Sequence, residues 1–201
     1  MGRFDLSKGE RFDLGKSEGL SKIKVELGWA SGADLDLCAF LVGEDGMIQD
    51  DADFVFYGSK LREKPFSREE FGNQNNWKKN TRPMSADGSV LGSIDDLNGG
   101  DGEKMTVDLY KVGGNISEIV FCSTVFTEGK SFGDVVDPYI AIYNDENGDE
   151  LCRYNLKESF SSETAVVAGS LILDENGEWQ FEAQGQGYNG GMQALIDIYA
   201  G

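Results

Sequence analysis

Short runs of alternating apolar and polar residues, each ended by a turn signal, recur along almost the whole chain. KIKVEL (22–27) alternates with period two, and so does the start of DLDLCAFLV (34–42). Similar runs follow at 53–57, 104–111, 118–126, 138–143, 150–156, 164–173 and 178–183. Period two places successive side chains on opposite faces of a strand. The segments between them, EDG (44–46), NDENGD (144–149) and DENGE (174–178), are of the kind that closes hairpins. The phrase Phe-Asp-Leu-x-Lys occurs twice, at 4–8 and 12–16, with Gly9 between, and reads as two short strands around a turn. Only MQALIDIY (192–199) and a shorter stretch at 67–71 read as helix. Many short strands without alternating helices predict an all-β protein: an antiparallel β-sandwich with short peripheral helices. A chain of 201 residues suits a single domain spanning 1–201.

The charge balance narrows the function. Against 36 Asp and Glu stand 18 Lys and Arg, a formal net charge of −18. Such a chain repels phosphate backbones, so nucleic acid is not an expected partner, whereas cations are. Histidine is absent, which removes Ser-His-Asp and Cys-His catalysis and any His-ligated metal. Cys38, Cys122 and Cys152 are widely spaced, form no CxxC pair and sit in apolar runs. They read as buried free thiols of a reducing compartment. The N-terminal segment has no apolar core of a signal peptide, Leu6 spoils a myristoylation signal, and no apolar run reaches membrane-spanning length. The expected location is cytoplasmic, with peripheral membrane association left open.

The densest chemistry lies at 95–103, DDLNGGDGE. Asp95, Asp96, Asn98, Asp101 and Glu103 bring five oxygen-bearing side chains together with three glycines, directly before a strand-like run. Hard cations such as Ca²⁺ take about six to eight oxygen ligands, and glycine lets the backbone wrap around one. Four carboxylates this close repel one another unless a cation sits among them. The other reading is a solvated acidic turn. The spacing does not fit D-x-[DN]-x-[DN]-G-x₅-E, so an EF-hand is rejected. Asp134, Asp137 and the turns at 145–149 and 174–178 are weaker ligand candidates, the turns being better explained as hairpin loops. The glycine-rich 185–191 lacks a GK[ST] ending and reads as a turn, not a phosphate loop.

One segment departs from the acidic composition. Residues 60–82 carry seven Lys and Arg against three Glu, with Pro65, Phe66, Phe71 and Trp77 among them. This reads as a basic insertion loop between strands, bounded at 59–88. It is either a solvated loop or a docking element for an acidic partner, or a lid beside the acidic loop.

Taken in order, the motifs resemble the tellurium-resistance TerD family, which includes stress-response proteins and slime-mould cAMP-binding-protein relatives. LGW (27–29), ADLDL (33–37), DFVFY (53–57), the acidic loop, VDL (107–109), SFGDV (131–135), YIAIY (139–143), GEWQFEAQGQGY (177–188) and GGM (190–192) carry the resemblance. They cover nearly the whole chain outside the insertion. The resemblance implies a β-sandwich that binds one or two calcium ions near one end, without enzymatic activity, among other proteins of a resistance system. Carried over, the metal ligands are Asp34, Asp36, Asp95, Asp96, Asn98, Asp101 and Glu103. Asp34 and Asp36 stand two apart on a strand and so share a side. The sequence departs from the family's pattern at 101–103, where Asp-Gly-Glu stands for an acidic Asp-Asp-Glu. It departs again at Gly58 and Ser59, where asparagines are usual, and at Ala30, where an Asp is common.

Two other classes compete. A carboxylate-based hydrolase would use two acids of the cluster and needs a deep cleft. A small-molecule module, for instance for a cyclic nucleotide, is suggested only by the family's relatives; it needs an Arg or a helix N-terminus for phosphate, and Arg153 and the basic insertion are the candidates.

Overall fold

The computed structural model describes residues 2–63, 81–93, 102–156 and 160–201. The helical stretch expected at 67–71 lies outside them, as does most of the basic segment.

The strands are β1 (Phe4–Leu6), β2 (Arg11–Asp13), β3 (Lys22–Gly28), β4 (Leu35–Val42), β5 (Phe54–Val55), β6 (Val90–Leu91), β7 (Glu103–Asp108), β8 (Glu118–Val125), β9 (Tyr139–Asn144), β10 (Glu150–Asn155), β11 (Ala165–Leu173) and β12 (Trp179–Tyr188). They form two six-stranded sheets. Sheet A runs β1-β10-β9-β3-β7-β6 and sheet B runs β2-β12-β11-β8-β4-β5. Among the described residues all strand pairings are antiparallel except β1 with β10. The expected all-β sandwich is the observed architecture.

Inward residues of both sheets share one core. Ile23, Val25 and Leu27 of β3, Met105 and Val107 of β7, and Ile140 and Ile142 of β9 meet Leu35, Leu37, Ala39 and Leu41 of β4 and Phe121 of β8. Burial of this apolar surface, at about 25 cal/mol per Å², is the main stabilising term. A second, smaller core explains why the alternation in β4 stops after its start. Cys38, Phe40 and Val42 point to the opposite face, and with Val120, Cys122, Ala165 and Val167 they are covered by Leu195. Leu195 belongs to helix α1 (Gly191–Tyr199). A strand covered on both faces needs apolar residues on both, so period two is lost.

The Thr164 hydroxyl accepts the N–H groups of Gly190 and Gly191, at 3.2 and 2.9 Å, and so seats the start of α1 against β11. The repeated Phe-Asp-Leu phrase does give two short strands around Gly9. They do not pair with each other: β1 joins the edge of sheet A through β10, and β2 joins the edge of sheet B through β12. The repeat thus spans the sandwich at one side, with the rings of Phe4 and Phe12 5.6 Å apart. β12 extends five residues past the expected end at Ala183, so the first part of the glycine-rich segment is strand, not turn. Among the described residues, no helix is long and apolar enough to cross a membrane.

Candidate metal centre

Sheet A and sheet B carry β7 and β4 as facing strands near the same edge of the sandwich. The first residue of β7 is Glu103 and the second of β4 is Asp36. Both line one small cleft, together with Tyr57, Pro83, Ser93 and Met105. Its volume is about 20 Å³, room for one water-sized species. The hydroxyl of Ser93 donates to Glu103 Oε2 at 2.9 Å. Asp36 is half-buried and lies directly opposite Thr124 in the β4–β8 ladder.

Asp34 precedes β4 and is exposed. Its backbone is held on both sides: its N–H donates to Thr127 Oγ1, and its carbonyl accepts the N–H of Phe126, both at 2.9 Å. It does not line the cleft. Asp95, Asp96, Asn98 and Asp101 lie outside the described residues. Among the described residues no three acidic or cysteine side chains stand close enough together to hold a metal ion. Two carboxylates and a hydroxyl supply only part of a calcium shell. They are hard oxygen donors of the right class, placed beside Ser93 and Gly102, the described residues on either side of 94–101.

The surroundings fix this corner. Gly102, immediately before Glu103, has a φ of +72°, and a Cβ there would come 2.6 Å from the carbonyl oxygen of Leu27. Arg82 reaches the carbonyls of Gly92 and Leu91 at 2.6 and 3.2 Å and Thr106 Oγ1 at 2.7 Å, tying the strand before the acidic loop to the strand after it. Arg62 is 4% exposed and donates to Thr81 Oγ1 and to the carbonyls of Tyr57, Ser59 and Thr81. Two of the seven basic side chains of residues 60–82 are therefore structural anchors at its roots. Tyr57 and Pro83, on either side of the segment, line the cleft itself. Tyr57 and Ser93 were not singled out as site residues from sequence. The DFVFY motif contains Tyr57, but nothing in the sequence shows that the chain brings it against Glu103.

The weaker ligand candidates have local tasks. Asp174 accepts the N–H groups of Asn176 and Glu178 at 2.8 and 2.9 Å, closing the β11–β12 turn. Asn144 and Asn147 do the same for Glu146 and Asp149 in the β9–β10 turn. Asp134 accepts the N–H of Ser131 at 3.0 Å, and this bond, with Lys130 nearby, holds its carboxyl below the usual range. Arg153, the candidate phosphate cation, is already committed: it pairs with Glu150 and lies 3.8 Å over the ring of Tyr139.

The TerD domain model matches residues 3–199. General stress protein 16U of Bacillus subtilis (strain 168) is 37% identical, over 96% of this chain and 95% of that protein. Tellurium resistance protein TerD of an Alcaligenes species is 35% identical, again over 96% and 95%. Among solved structures, a homologue of telluride resistance protein from Streptomyces coelicolor A3(2) superposes with a TM-score of 0.54 at 18% identity, covering 90% of this chain and 96% of that one. A protein of unknown function superposes with a TM-score of 0.60 at 19% identity, covering 91% and 98%. These two show the same fold. With a family match over nearly its full length and relatives above one-third identity on both sides, the chain belongs to the TerD domain family.

Proposed function

We propose that the protein serves tellurite or general stress resistance by binding calcium, and that it acts through a calcium-ordered interaction surface and not through catalysis. The observation that carries this reading is the meeting of Asp36 and Glu103, from opposite sheets, in one cleft at the root of the acidic loop. Asp95, Asp96, Asn98 and Asp101 of that loop, with the exposed Asp34, would complete the oxygen shells of one or two ions. The names of the relatives support the resistance role.

The physical logic is electrostatic. In a chain of net charge −18, clustered carboxylates raise the free energy of the ion-free state. A divalent cation removes that repulsion and links β4 to β7 across the edge of the sandwich. The loop is then held in one conformation, and its outer face becomes a surface that other proteins of the resistance system recognise. A cleft of about 20 Å³ suits an ion better than the sugar ring a glycan hydrolase would have to hold.

Calorimetric titration of chelator-treated protein with Ca²⁺, with thermal melting in parallel, tests the reading. Saturable binding of one or two ions is expected. An excess of 100 times Kd raises stability by about 2.7 kcal/mol. Asp36→Asn, Glu103→Gln and Asp96→Asn should each weaken binding about tenfold or more while leaving the ion-free melt near that of the parent. No heat and no melting shift at millimolar Ca²⁺ rejects the proposal.

A further inference from the structure

The far end of β7 opens onto a second and larger cleft, of about 500 Å³, in the size range of small-molecule sites. Three segments frame it: the β2–β3 loop, the residues just after β7, and the β11–β12 turn. Leu14 and Leu20, both buried, form its floor. Tyr110 and Trp179 stand on its walls, Tyr110 with 81% of its surface exposed and Trp179 half-buried against the core. Glu18 and Glu178 line it as well, and among the described residues no Lys or Arg does. The nearest basic residues in sequence are turned to other partners, Lys16 to Asp13 at 3.1 Å and Lys111 to Asp108 at 3.7 Å.

The cleft is built from fixed parts. Leu14 N–H donates to the carbonyl of Trp179 at 3.0 Å, Leu20 N–H to Ser17 at 3.1 Å, and Leu109 N–H to Ser21 at 2.9 Å. The carboxylate of Glu178 occupies the space that a side chain on Gly15 would fill, so this exposed residue lies against the β2–β3 loop. Two aromatic rings, two carboxylates and an apolar floor, with no Lys or Arg among the described lining residues, make a cleft with an unbalanced chemistry. Ring faces and carboxylates both attract positive charge, and an apolar floor favours a cation with a carbon skeleton over a hydrated metal ion.

We infer that this cleft binds a small organic cation bearing a guanidinium or ammonium group. The charged head lies against the face of Tyr110 or Trp179, Glu18 and Glu178 act as counter-charges, and the carbon chain covers Leu14 and Leu20. The site is separate from the candidate metal centre, which sits at the opposite end of β7.

Agmatine is a suitable probe, read by the indole N–H resonance of Trp179 in the whole protein at physiological salt. The expected result is a saturable shift of that resonance. Tyr110→Ala and Glu178→Gln should each weaken the affinity about five- to tenfold. Glu175→Gln, on the same turn but outside the cleft, should not change it. Tyr110 is so exposed that its removal leaves the fold intact, which a melt of the variant confirms. Three results overturn the inference: no shift of the indole resonance, equal binding by the Tyr110→Ala and Glu178→Gln variants, or equal binding of uncharged 1-butanol. The last would make the cleft an apolar pocket only. Repeating the titration with Asp36→Asn separates the two sites, since loss of calcium binding there should leave agmatine binding unchanged.

Discussion

The ring of Tyr139 fills the space in which a side chain on Gly28 would stand. The two residues face each other across the β3–β9 ladder, and an added Cβ on Gly28 would overlap the ring's outer edge. The aromatic thus covers the glycine in the pairing position, which protects a strand end that lacks a side chain of its own. The ring is then held from two sides. Its hydroxyl donates to Glu26 Oε1 at 2.8 Å, and Arg153 lies 3.8 Å from its centroid.

Gly28→Ala should displace Tyr139 and with it both of those contacts. The expected cost is about 1–3 kcal/mol, as for other overpacking changes. For a chain of this size that is about 3–10 °C of melting temperature. In a Tyr139→Ala background the same glycine change should cost little, because the ring it strikes is gone. Equal costs in the two backgrounds, measured by thermal denaturation, would remove the steric account.

The same tyrosine gives a pH dependence with a definite sign. Burial, and then the Glu26 carboxylate that its hydroxyl faces, push the Tyr139 phenol up to about 12, against the opposing pull of Arg153. A group whose folded pKa lies above its unfolded value of about 10 stabilises fully below that value. The contribution is lost as pH rises from about 10 through about 12. Tyr139→Phe should therefore cost about 1 kcal/mol at neutral pH, where the hydrogen bond to Glu26 is intact and partly solvated. The deficit should close above pH 11 or so. Denaturant midpoints of parent and variant at pH 8 and pH 11.5 check this; a gap that stays constant counts against it.

The three cysteines should be silent toward thiol reagents in the native state. Cys38 and Cys122 stand directly opposite each other in the β4–β8 ladder, beneath α1, and Cys152 lies in the main core. Burial pushes the Cys122 thiol well up, with Cys38 adding to the effect, and takes Cys152 to about 12. A thiolate is the reactive form, so burial shields all three, and at Cys122 and Cys152 ionisation adds to the protection. An aromatic disulfide reagent at pH 8 should find none within minutes, and all three once urea unfolds the chain. Prompt labelling of one in the native protein would place it in a more open setting than described.

The fold was legible because its signals are local. Alternation in β3, the turn chemistry of 174–178 and the closing helix need only near neighbours to be read. β4 was harder: its run from Cys38 to Val42 loses period two because Leu195, far away in sequence, covers the outer face. β1 and β2 were legible as strands but not as members of opposite sheets, since each is paired with a strand about 150 residues or more away. At the candidate metal centre, sequence singled out Asp36 and Glu103, and the chain brings both to one cleft. Asp34, matched to Asp36 by parity, does not line that cleft: it stands exposed just before β4 begins. The partners Ser93 and Tyr57 were illegible: Ser93 reaches Glu103 through the β6–β7 pairing, and Tyr57, which follows β5 of the other sheet, enters the same cleft only when the two sheets pack together.

Gly102 offers the sharpest probe of that centre. It precedes Glu103 and follows the acidic loop, and it has two requirements at once: a left-handed backbone and no Cβ in front of the Leu27 carbonyl. Gly88 has the same φ of +72° but open space around it, with only the Met84 sulfur at 3.8 Å. Gly88→Ala should therefore cost only the left-handed penalty, about 1–2 kcal/mol. Gly102→Ala should cost that and a backbone displacement at the start of β7. Because the displaced residue is Glu103, calcium affinity should fall by about tenfold or more in Gly102→Ala and stay at the parent value in Gly88→Ala. Melting without calcium reads the first difference and calorimetry the second. If the two variants match in both measurements, the close approach to Leu27 does not position the calcium ligand. If they differ in melting but bind calcium equally, Glu103 is not part of the site.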